Sequence, residues 1–266
     1  MRVGLFVTCL VDLMRPGIGM AALELLERAG CEVLVPPTQT CCGQPGWNAG
    51  ERRSARALAE KLLTEFEGCE HVVVPSGSCA GMVRVHYPAL FEGEPWLKDR
   101  VERLAARTRE LSDFLVNVLG IQSVPGRFDG TVTYHDSCSG LRELGVKRQP
   151  RELLALVPGL TLREMPSSEV CCGFGGTFAV KYGEISSEIA SKKCRHIRDT
   201  GAGAVVLGDL GCMLSIEGRL RSDGDATTRV LHFAEVLAGA AEIREVEGRE
   251  AEGREVGGRE VGGDGA

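Results

Sequence analysis

Eleven cysteines are a heavy load for a chain of 266 residues, and their spacing says more than their number. Cys9 and Cys138 lie 129 residues apart, the pairs Cys41–Cys42 and Cys171–Cys172 lie 130 apart, and Cys79 and Cys212 lie 133 apart. Eight cysteines therefore fall into two sets in the same order: one thiol, a vicinal pair followed by a glycine (Gly43, Gly173), then a fourth thiol. A repeat this long implies two similar domains rather than a solenoid. Four thiolates bind soft or borderline metals: zinc, copper(I) or an iron–sulfur cluster. Consecutive side chains diverge in extended backbone, so a vicinal pair reaches different atoms of a larger inorganic body more easily than it chelates one small ion. The glycine permits positive φ and can aim N–H groups at sulfur, which tunes a reduction potential. This favours a cluster and leaves zinc open.

The other cysteines read differently. Cys31, Cys69 and Cys194 have no counterpart in the repeat and are expected to pack as small hydrophobes. An odd cysteine count in a chain of this length, with no secretory pattern, argues against a disulfide framework. A disulfide within a vicinal pair would be strained. His135 and Asp136, in "YHDSC", stand beside a proposed ligand and could orient the site or relay protons. An ordinary hydrogen bond at a strand end explains them equally well. His71, His86, His196 and His232 are assigned surface or packing roles. "CGFGGTF" is glycine-rich but is not a dinucleotide fingerprint, and no P-loop or hydrolase elbow is present.

The elements that must position these residues alternate. "RVGLFVTC" and its counterpart "TVTYHDSC" read as strands, as do "CEVLVPP", "HVVVPSGSC" and "AVVLGDLGC". "GMAALELLERAG" and "ERRSARALAEKLLTEF" carry helical spacing between them. The fold expected is α/β, with two tandem pseudo-repeated domains. Each is a small, mostly parallel sheet flanked by helices, with its cysteines at the C-terminal strand ends, where open parallel sheets bind ligands. The domains are set at residues 1–121 and 130–240, and a Gly/Arg/Glu tail at 241–266 is expected to be disordered. Hydrophobic residues make up 43% and charged residues 26%, as in an ordinary globular protein. A net charge of -6 disfavours nucleic acid as a partner. No apolar run is long enough for a membrane span, and the N-terminus reads as a first strand rather than a signal peptide. A cytoplasmic protein is expected.

The motifs "QTCCGQP", "SGSCAGM", "YHDSC", "LRELG" and "CCGFGGTF" together resemble the cysteine-rich CCG domain, present twice over about residues 1–240. That domain occurs in heterodisulfide reductase, in the iron–sulfur subunits of glycolate oxidase and anaerobic glycerol-3-phosphate dehydrogenase, and in lactate utilization proteins, among which the A family is the nearest likeness. The resemblance implies an iron–sulfur oxidoreductase subunit taking part in L-lactate oxidation to pyruvate. Its ligands would be Cys9, Cys41, Cys42, Cys79, Cys138, Cys171, Cys172 and Cys212, holding one or two clusters of the 4Fe-4S type, with zinc as the alternative in one half. Implied partners are lactate utilization proteins like B, with ferredoxin-type clusters, and like C, with a small 2-hydroxy acid as the substrate of the complex. A zinc-stabilised structural or assembly subunit, or a subunit of a glycolate or other 2-hydroxy-acid oxidase, are the competing readings. The fuller domain pattern has a fifth cysteine in each half, where this chain has Met82 and Ser215, so a five-thiolate cluster does not carry over. Ser139 stands where many relatives carry histidine. Arg142 and Lys181, near the second set in sequence, are the candidates for contacting a carboxylate substrate.

Overall fold

Residues 1–240 are described in a computed structural model of the chain; the expected disorder of the tail lies outside them. Among the described residues eight short strands form two sheets of four, all parallel. The first holds β1 (Arg2–Leu5), β2 (Glu32–Leu34), β3 (His71–Val74) and β4 (Thr108–Glu110) in the order β2-β1-β3-β4. The second holds β5 (Gly130–Tyr134), β6 (Leu160–Leu162), β7 (Ala204–Leu207) and β8 (Arg229–His232) in the order β6-β5-β7-β8. Val72, Val73 and Val74, like Ala204, Val205, Val206 and Leu207, are buried throughout, as expected of central parallel strands covered on both faces. In each sheet the strand order reverses between the first and third strands, which opens a crevice at their C-terminal ends.

The helices expected from sequence are present at Pro16–Arg28 and Arg52–Glu65. The strands are shorter than the apolar runs suggest. β1 stops at Leu5 and β5 at Tyr134, and Cys9, Cys79, Cys138 and Cys212 each lie in the first turn of the helix that follows their strand. At Cys79 and Cys212 the reason is capping: Ser76 and Asp209 accept N–H bonds from Cys79 and Gly211 and start those helices early, whereas Thr8 and Ser137, before Cys9 and Cys138, make no side-chain cap. The thiols thus stay at the sheet's C-terminal edge but are carried on helical turns.

The two halves share their cores. One cluster takes Val3, Leu25 and Leu26 from the first half and Val132, Phe233, Val236 and Leu237 from the second. Another joins Val11 and Ile18 to Val205, Ile216 and Leu220. Cys31, Cys69 and Cys194 are buried in these cores, as their lack of repeat partners suggested. The segment between the sheets is docked: Gly126 N–H donates to Leu237 O at 2.7 Å and Phe128 N–H to Pro158 O at 3.1 Å. Among the described residues no helix is long and apolar enough to cross a membrane.

A Cβ at Gly126 would sit 2.3 Å from Val236 O and 2.6 Å from Leu237 O. Gly126→Ala is therefore expected to lower unfolding stability by about 1–3 kcal/mol, the scale of an overpacked contact, in a urea titration.

Candidate metal centres

Each half gathers its four thiols. In the first, the Cys42 and Cys79 sulfurs are 3.4 Å apart, and hydrogen bonding couples the free thiol of Cys9 to Cys41 and that of Cys41 to Cys42. In the second, the Cys172 and Cys212 sulfurs are 3.1 Å apart, and hydrogen bonding couples the free thiol of Cys138 to Cys171 and that of Cys171 to Cys172. The order of contacts is the same in both: single thiol, first of the pair, second of the pair, fourth thiol. Cys42, Cys172 and Cys212 are buried, while the other five are partly exposed towards open clefts.

The glycine after each pair does what its lack of a side chain allows. Gly43 and Gly173 have φ of 82° and 89°, and their N–H groups point at the Cys41 and Cys171 sulfurs at 3.4 and 3.3 Å. A Cβ on Gly173 would lie 2.5 Å from Ser186 O. Cys41 is consequently held well below the usual thiol value, first by hydrogen bonds from the Cys42 and Cys9 thiols and further by Gly43 N–H. Cys171 is lowered in the same way, first by Cys138, then by Cys172, with Gly173 N–H adding to it. Cys9 and Cys138 are pushed up, because their protons are committed to those two sulfurs and because they are partly buried. Each half thus carries a ready thiolate at the first cysteine of its pair, and metal ligation needs that form. The second cysteine of each pair is held through its carbonyl: Tyr87 donates to Cys42 O at 2.9 Å and Ser215 to Cys172 O at 2.9 Å. Ser215 occupies a missing-cysteine position and has become a backbone clamp. Met82, at the other such position, is fully buried in the core. Thr8, just before Cys9, has φ of 79° and ψ of 148°, a costly backbone conformation for a β-branched residue. Its counterpart Ser137 is ordinary extended backbone, so the two halves reach the same arrangement with unequal strain.

The two sites meet at Asp209, which the sequence motifs alone do not single out. One carboxylate oxygen accepts from Ser76 Oγ at 3.1 Å and Ser78 N–H at 2.8 Å in the first half, and the other accepts from Gly211 N–H at 3.2 Å. Gly77 N–H donates to Gly208 O beside it. Ser76 and Asp209 are each three residues before the fourth cysteine of their set. They are repeat equivalents in mutual contact, and both are N-cap types, which was the available signal. A cleft of about 260 Å³ opens on Cys9, Cys41, Cys42 and Cys79 and is walled by Phe174 and Asp209 of the second half. A second cleft of about 220 Å³ opens on Cys138, Cys171, Cys172 and Cys212 and is walled by Gln44, Asn48 and Ser78 of the first.

His135 lies against the second set. Its Nδ1 meets Ser168 O at 3.1 Å, its Nε2 has no partner, and it falls with Cys172 and Cys212 in a group whose ligand atoms all lie within 4.8 Å of one another. Burial, with the nearby Lys193 cation, pushes its pKa down to about 3, so the ring is neutral. Asp136 is not free for proton relay: both its oxygens are taken by Arg151, at 2.8 and 3.0 Å. Arg142 and Lys181 are exposed and line neither cleft, so the geometry does not support either as a substrate-binding residue at the cysteine sites. Both lie near the cysteines in sequence but on helix faces turned outward.

Comparison with known proteins finds the same repeat in the chain. The CCG cysteine-rich domain family matches it twice, over residues 3–84 and 132–217, and these two spans contain all eight repeated cysteines. Lactate utilization protein A of Halalkalibacterium halodurans is 45% identical over 245 residues, covering 92% of this chain and 100% of that protein. The chain belongs to the lactate utilization protein A family. Lactate utilization protein A of Bacillus subtilis is 45% identical over 237 residues, covering 89% of this chain and 99% of that one. A solved structure of a hypothetical protein from Helicobacter pylori aligns with a TM-score of 0.61 at 13% identity, covering 89% of this chain and 48% of that one, and shares the fold.

Asp209→Ala removes a helix cap and a bridge between the halves at once. It should cost about 2 kcal/mol, the upper end for a lost N-cap. Asp209→Asn, which keeps an acceptor oxygen, should recover part of that loss in the same denaturation experiment.

Proposed function

We propose that the chain is a metal-binding electron-transfer subunit of a lactate-oxidising assembly, with an iron–sulfur cluster in one or both CCG halves. The observation that carries this reading is the pair of four-thiol constellations, each with a glycine N–H aimed at a thiolate and each open to a cleft. Family membership supplies the substrate class, because the relatives are named for lactate utilization. The expected companions are proteins like lactate utilization proteins B and C.

The donor sets suit the proposed group. Cys9, Cys41, Cys42 and Cys79 would hold it in the first half, and Cys138, Cys171, Cys172 and Cys212 in the second. A bound cluster would supply one-electron storage, and oxidation of a 2-hydroxy acid to a 2-oxo acid releases two electrons and two protons. The chain's own residues do the rest. Gly43 and Gly173 stabilise negative charge on sulfur, and such hydrogen bonds raise the potential of a thiolate-bound centre. Tyr87 and Ser215 fix the backbone of the buried cysteines. Phe174 walls both clefts and limits water at the sulfurs. The Asp209–Ser76 bridge keeps the two sites at a fixed separation.

One observation favours a second reading, single zinc ions in a structural role. The 3.1 and 3.4 Å sulfur contacts are close to the edge of a zinc–thiolate tetrahedron, about 3.8 Å for bonds of about 2.3 Å. Anaerobic purification with iron, acid-labile sulfide and zinc analysis separates the two. Iron with equivalent sulfide is the expected result, and stoichiometric zinc without iron refutes the electron-transfer role. In an assembly reconstituted with B- and C-like partners, Cys41→Ser and Cys171→Ser should each lower lactate-dependent electron transfer by more than about tenfold, since even outer partners of ligands contribute that much. Unchanged turnover in both variants would show that this chain only docks.

A further inference from the structure

The two halves repeat their cysteines but not the residue three positions before the first of them. That residue is Phe6 in the first half and His135 in the second, 129 residues apart like Cys9 and Cys138. Phe6 is core: it packs edge-on against Phe66 with ring centroids 6.0 Å apart. His135 occupies the matching place at the end of β5, with its own N–H on Val206 O at 3.0 Å, and the residue is 1% exposed.

The ring's orientation is set by its neighbours. Nδ1 faces Ser168 O, and a carbonyl only accepts, so Nδ1 carries the hydrogen and Nε2 carries a lone pair. The Ser168 carbonyl is itself fixed, because Asp136 N–H and the Lys193 ammonium also donate to it, both at 3.1 Å. Nε2 therefore cannot turn away. It is buried and has no hydrogen-bond partner, and the ring places a nitrogen within 4.8 Å of the Cys172 and Cys212 sulfurs. A buried lone pair without a partner is costly. An imidazole that donates one N–H to a backbone carbonyl and keeps its other nitrogen unpartnered beside a cluster of thiols has the arrangement of a metal ligand with its supporting carbonyl.

We propose that His135 Nε2 is a metal ligand of the second site, which is thus a mixed nitrogen–sulfur centre beside an all-sulfur centre in the first half. This rests on the reading that the cysteine sets hold metal, and it applies to a single zinc ion or to an iron of a cluster alike. Where the imidazole takes the place of one of the four thiolates, that centre is one unit less negative than the all-sulfur one. If the metal is iron, the second site then has the higher reduction potential of the two, and electrons run from the first half to the second.

X-ray absorption of the metal-loaded full chain tests this at the iron and zinc edges, which also identifies the metal. Wild-type protein and Cys41→Ser should both show a nitrogen shell at about 2.0–2.1 Å with imidazole scattering. His135→Phe, which copies the residue of the first half, should lose that shell and release one of two metal centres to a chelator at least tenfold faster. Circular dichroism and gel filtration check its folding, and the wild-type spectrum decides the matter if that variant does not fold. Metal bound through sulfur alone, or a nitrogen shell that survives His135→Phe, overturns the inference and leaves the metal-centre reading intact. Absence of metal at either edge after anaerobic reconstitution overturns both.

Discussion

A single buried carboxylate holds the two cysteine sites together. Asp209 accepts from Ser76, Ser78 and Gly211, and so caps the helical turn carrying Cys79 and the helix carrying Cys212. Three hydrogen bonds compensate a charge that is 4% exposed. The constraint is geometric as much as energetic. Two crevices at the switch points of two sheets could face anywhere, yet here they share walls, because repeat-equivalent residues meet at the centre. Phe174 and Gln44, one from each half, border both clefts.

The two halves carry one thiol arrangement in unequal surroundings. The part common to both halves is the backbone-controlled part: thiol order, a glycine at positive φ, a hydroxyl on the second cysteine's carbonyl. What differs surrounds it. Thr8 is strained where Ser137 is relaxed, and Phe6 packs where His135 presents a lone pair.

The repeat, the parallel α/β sheets, the packing role of Cys31, Cys69 and Cys194 and the need for Gly43 and Gly173 were legible in the sequence. Each follows from periodicity or from one residue's own chemistry. The ends of β3 and β7 were not legible, because capping by Ser76 and Asp209 competes with apolar runs that read straight on to the cysteines. Arg142 and Lys181 attracted attention by proximity along the chain, but helix rotation turns them outward. Asp136 looked like a proton carrier until Arg151, fifteen residues away, took both of its oxygens.

The sequence by itself determined which thiols belong together, for their order and the glycine after each pair are local and repeated. It also determined the family, through motifs long enough to be specific. Only the tertiary structure decided that the two sites abut through Asp209 and that His135, with an unpartnered ring nitrogen, lies beside Cys172 and Cys212. The first depends on how the two halves pack, and the second on which ring nitrogen meets the carbonyl of Ser168. Both are pairings of groups more than thirty residues apart, set by the shared core rather than by any pattern along the chain.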